Sequence, residues 1–145
     1  MKLMHVLTHP YTITMCFFAI LISGESWGGF YLLYLLLALP HLGLYAVSGF
    51  AGIGLLLVSK NVLKADKSVY KGSINILAVL LLLLSLFFFF YNDKEHYNYG
   101  TFYQFVPQLT LFIFLAIAVV FSIHNLKLIF PGKSSRPLRN SHQLP

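Results

Sequence analysis

The chain has 145 residues, 58% of them hydrophobic and 10% charged, with a mean hydropathy of +0.77. A soluble domain typically carries about 25% charged residues, so the composition excludes one and points to a single membrane domain. The formal charge of +6 is not a nucleic-acid footprint: the basic residues border apolar runs instead of forming a stripe with stacking aromatics, which suits anionic lipid headgroups.

The first apolar segment runs from about Leu3 or Pro10 to Gly24. The longer choice makes about 33 Å of helix, enough to cross a bilayer, and Pro10 suits a first helical turn. Lys2, the run from Ile13 to Ile22 and then Ser23-Gly24 also have the outline of a secretory leader. Retention as a span is expected, because its removal would leave three spans with no device to hold the new end outside. Glu25, Ser26, Trp27, Gly28 and Gly29 follow as a polar turn with an aromatic anchor.

From Phe30 to Ser59 no residue carries a formal charge. As one helix this run would measure about 45 Å against a hydrocarbon core of about 30 Å. Splitting it into two spans gives pieces too short to cross and moves the next, lysine-rich loop to the other side, so one long tilted helix kinked at Pro40 is expected. Pro40 cannot donate to the Leu36 carbonyl, which places the bend there.

Lys60, Lys64, Asp66, Lys67 and Lys71 mark the following loop, and Val62, Leu63, Val69 and Tyr70 allow part of it to lie on the membrane surface. A third helix is predicted over Ser73 to Tyr91, bulky and apolar all round. A loop from Asn92 to Thr101 sets Asp93, Glu95 and His96 among tyrosines, whose default role is an interfacial aromatic belt. The fourth helix continues to about Phe130, with Pro107 in its first turns. Residues 131–145, rich in Ser, Pro, Lys and Arg, read as a mobile basic tail after a transmembrane domain over 1–130.

The expected architecture is an all-α membrane protein with four transmembrane helices. Nine of the ten lysines and arginines then fall on one side, with Lys94 alone opposite, so both termini are expected in the cytoplasm. The compartment would be a bacterial inner membrane or another cytoplasm-facing membrane. Cys16 is the only cysteine, which rules out an intrachain disulfide and a cysteine-based zinc site.

His41 is the sharpest local feature, an ionisable ring next to a proline-freed carbonyl, expected about 18 Å below the outer end of the second helix. It suits a ligand, a cofactor or a proton relay; the plainer role is a hydrogen-bonded histidine at a packing kink. His5 and His9 are spaced i, i+4, and His124 reaches the same membrane face by topology, so the three are candidate metal ligands. HxxxH without a glutamate is a weak motif, and no cofactor or metal is expected. Glu25 suits a pore gate, or more plainly a solvated carboxylate. Ser48, Gly49, Ala51, Gly52 and Gly54 thin the second helix, and Ser48-x-x-x-Gly52 lets another helix approach closely. That partner is helix 1 or 4 of the same chain, a second copy, or a different subunit.

Gly-x-Ser-x-Gly, Walker, HExxH and paired intramembrane carboxylate patterns do not occur in the sequence, which lowers the case for hydrolase, ATPase, zinc-protease or carboxylate-driven pump chemistry. The leading expectation is a noncatalytic accessory or regulatory subunit that docks through the thin second helix. The alternative is a homo-oligomeric channel or small transporter whose path between copies is lined by the second helix and by Gln104, Gln108, Thr110 and Ser122 of the fourth. A histidine-based haem or metal protein is a third. Expected partners are the bilayer, anionic headgroups at the basic face and a membrane protein or second copy, with no nucleic acid.

Overall fold

The computed structural model describes residues 2–24, 28–61, 68–94 and 96–130. In chain order these form α1 (Lys2–Leu7), α2 (Pro10–Phe18), β1 (Leu21–Ser23), β2 (Gly28–Phe30) and α3 (Tyr31–Ala38). A 3-10 turn (Leu39–His41) leads to α4 (Leu44–Asn61) and α5 (Ser68–Tyr91), and a second (Gly100–Phe102) to α6 (Phe105–Ile129). The protein is mostly helical, and α4, α5 and α6 are long and apolar enough to cross a membrane, consistent with an integral membrane protein. Glu25, the loop lysines Lys64 and Lys67, and the tail 131–145 lie outside the described residues.

The first segment is not one helix. Pro10 has no amide hydrogen for the Val6 carbonyl, which accepts instead from the Thr12 hydroxyl at 2.7 Å and the His9 amide at 3.1 Å. The chain therefore breaks at Thr8-His9 and restarts with Pro10 in the first turn of α2. After Phe18 it unwinds into β1, so the mostly helical fold, in keeping with an all-α membrane protein, carries one short pair of strands. β1 and β2 are antiparallel, with Leu21 opposite Phe30 and Ser23 opposite Gly28. Residues distant in sequence hold this hairpin: the Leu21 amide donates to Thr110 Oγ1 at 3.0 Å and the Ser23 amide to Thr101 Oγ1 at 2.9 Å.

The long uncharged run also differs from the single kinked helix expected of it. It forms α3, about 12 Å long, and α4, about 27 Å long, separated by the turn around Pro40. The Leu36 carbonyl accepts from the Leu39 amide, Gly43 N–H donates to Ala38 O at 3.2 Å, and Leu42 takes a left-handed φ of 50°. The turn uses the excess length, and α4 alone matches a hydrocarbon core of about 30 Å.

α4 packs antiparallel on α5 through its small residues. A Cβ on Gly52 would lie 2.9 Å from the Ala78 carbonyl oxygen, and one on Gly49 2.9 Å from Ser85 Oγ. The close partner of the thin helix is thus α5, which the sequence reading did not single out. At the other end of α5, a Cβ on Gly72 would meet Asn125 O at 2.9 Å, so α6 also approaches closely. α2 lies along α6 with the Phe17 and Phe114 rings 5.4 Å apart. Fully buried Ile13, Phe17, Leu35, Leu56, Leu82, Phe114 and Phe121 fill the interior. Lys60, Lys71 and Lys127 all fall at one end of the bundle, called here the lysine end.

Candidate functional site

At the lysine end five helices line a cavity of about 500 Å³. His9, the N-cap of α2, places its ring there because Nδ1 accepts the Tyr11 amide at 3.3 Å. The last turn of α4 supplies Lys60, α5 supplies Lys71 and Asn75, and α6 supplies His124 and Asn125. Met4, Pro10 and Leu128 form an apolar wall beside these polar groups. No carboxylate lines the cavity among the described residues.

Lys60 Nζ is 2.6 Å from His9 Nε2 and 5.9 Å from the centroid of the Tyr11 ring. One imidazole cannot accept at both nitrogens. When protonated Lys60 donates to Nε2, the ring proton sits on Nδ1 and the bond from the Tyr11 amide is given up. When Nδ1 accepts that amide, Nε2 carries the ring proton and is no acceptor for the Lys60 ammonium. Lys60 and the cap of α2 therefore compete for one imidazole.

Behind the lysines, Asn75 Nδ2 donates to Asn125 Oδ1 at 2.7 Å and Asn125 Nδ2 donates to Phe121 O at 2.8 Å. Both amides are almost fully buried. Asn75 Oδ1 and Ser59 Oγ are buried without a hydrogen-bond partner among the described residues.

The structure thus brings His9 and His124 to one cavity, in the company of lysines. The side chain of His5, on α1, lies outside what is described. No three of His, Cys, Asp and Glu converge as around a metal among the described residues. His41 is not part-way down a helix: it is exposed on the turn before α4, near the end of the bundle where Leu44 meets Tyr91. Gln104 caps α6 without a side-chain hydrogen bond, and Gln108 is exposed beside Phe105, Leu109 and Phe112 at a shallow cleft of about 240 Å³. Ser48 is buried and donates to Leu44 O at 2.7 Å within its own helix, while Gly49 and Gly52 serve the α4–α5 contact. Sequence reasoning took Lys60 and Lys71 only as border charges and passed over Asn75 and Asn125. The available signal was an asparagine inside each of two apolar helices, a costly placement without a partner.

No family model, no curated protein and no solved structure matches the chain.

Proposed function

We propose that the chain is a noncatalytic accessory or regulatory subunit of a larger membrane complex. In this reading it crosses the bilayer four times, through α1–α2, α4, α5 and α6, with both termini on the cytoplasmic, lysine-bearing side and α3 resting against the bundle. One observation supports it: apart from Ser59 Oγ and Asn75 Oδ1, most polar side chains described inside the bundle are committed to one another or to backbone. Tyr31 pairs with Ser85 and Ser85 with Tyr45 O, Asn75 with Asn125, Thr14 with Pro10 O and Thr110 with Pro107 O. The pairs between helices hold the bundle together, and those within α2 and α6 occupy their own hydroxyls, which leaves little for substrate chemistry.

With the glycine face of α4 occupied by α5, docking falls to α6, whose spanning window is 17% buried against 39% for α4 and α5. Photocrosslinking from Phe112 and Val119 in native membranes, followed by mild-detergent purification, tests this. A defined protein adduct is expected; a lone monomer with no adduct from either position overturns the reading.

The alternative, a homo-oligomeric channel, rests on exposed Gln104 and Gln108 at the start of α6. Solute flux in reconstituted vesicles, lost on Gln108→Leu, would favour it, and absence of flux from an oligomeric sample would remove it.

A further inference from the structure

We propose that the cavity at the lysine end is a binding site for a phosphate group, carried by an anionic lipid or free in solution. Lys60 and Lys71 reach it from two different helices, and His124 joins from a third. Among the described residues no carboxylate lines the cavity beside the two ammonium groups. Basic pockets between membrane helices on the cytoplasmic side are suited to anionic headgroups.

The cavity is also held open in a defined shape. Asn75 and Asn125 bond across α5 and α6 directly behind the cations, and Gly72 keeps these helices close at that level. Lys60 Nζ lies 2.6 Å from His9 Nε2, so at most one of its three donor positions faces the ring and the others are left for a ligand. The apolar wall of Met4, Pro10 and Leu128 fits the glycerol and upper chain region of a lipid better than a free ion. A lipid ligand rests on the four-crossing orientation proposed above; phosphate chemistry in the cavity does not.

The test uses the full chain in detergent micelles, where both ends are accessible whatever the native orientation. Native mass spectrometry compares retention of phosphatidylglycerol with that of phosphatidylcholine, and a parallel arm titrates inorganic phosphate. Wild type is expected to retain phosphatidylglycerol preferentially. Lys60→Gln with Lys71→Gln weakens this by roughly tenfold or more, while Lys127→Met, which removes a charge outside the cavity, does not.

Displacement of the lipid by millimolar inorganic phosphate assigns the site to the phosphate group alone; resistance to it assigns the site to the whole lipid headgroup. Both support the proposal. Equal retention of the two lipids by wild type, with no phosphate binding, overturns it even if the double variant fails to fold. Equal loss in Lys127→Met also overturns it, since surface charge then suffices. A reporter after Pro145 that maps to the far face would remove the orientation without touching the micelle result.

Discussion

Ser85 Oγ stands between two tyrosines of the preceding helices, 2.9 Å from the Tyr31 hydroxyl and 2.6 Å from the Tyr45 carbonyl. Its single hydrogen goes to the carbonyl, so Tyr31 donates to Ser85 and the three form a relay across α3, α5 and α4. Ser85→Ala strands the Tyr31 hydroxyl in the interior, while the Tyr45 carbonyl keeps the Ser48 hydroxyl at 3.2 Å, and costs about 1–3 kcal/mol. Tyr31→Phe leaves the Ser85 bond to Tyr45 intact and costs about 0.6 kcal/mol, a typical interhelical hydrogen bond in a membrane protein. Unfolding in mixed micelles should rank Ser85→Ala below Tyr31→Phe; the reverse order would contradict the relay.

Two glycines of α4 give opposite expectations. Gly52→Ala drives a methyl into the Ala78 carbonyl and Leu82, separating α4 from α5 at a cost of about 1–3 kcal/mol. Nothing lies within 4 Å of a Cβ on Gly54, so Gly54→Ala gains helix propensity of up to about 1 kcal/mol. Thermal unfolding of the two variants side by side measures this split.

At His9, capping and cation placement can be separated. His9→Ala removes the cap of α2, at about 0.5–2 kcal/mol. His9→Asn restores a good capping oxygen but is too short to reach Lys60. Stability close to wild type with weakened phosphate binding is expected for His9→Asn, and loss of both for His9→Ala. Equal binding in wild type and His9→Asn would show that the ring does not position the lysine.

The amide pair should be strongly non-additive. Asn125→Leu leaves Asn75 with neither amide group paired among the described residues, a loss of about 1–3 kcal/mol. Adding Asn75→Leu removes the stranded group and should return part of that loss. A double variant as unstable as the sum of the single changes would mean that the two side chains act independently.

The last two long helices were legible because their limits are chemical: Lys71 and the Asn92-Asp93 pair bracket one apolar run, and Gln104 and Pro131 bracket the other. α5 begins at Ser68, earlier than the expected Ser73, since Lys71 can keep its stem on the helix while its charge reaches the end of the bundle. The start of the chain was less readable. In a membrane-type sequence every position is apolar, so periodicity cannot separate a strand such as Leu21–Ser23 from a helix end. The bonds that hold it come from Thr101 and Thr110, about eighty residues on. For the site, net charge located the lysine end and with it His9 and His124. It could not show that Asn75 meets Asn125, because that depends on how α5 and α6 are rotated, and rotation is set by Gly72 and Ile129.

The hairpin reaches forward to threonines about eighty residues on, and this orders the events of biosynthesis. When the ribosome has just passed residue 30, the Leu21 and Ser23 amides have no hydroxyl to meet. Those hydroxyls emerge only with Thr101 and the beginning of α6. The strands must therefore wait, exposed or shielded by insertion factors, until three intervening helices have been made.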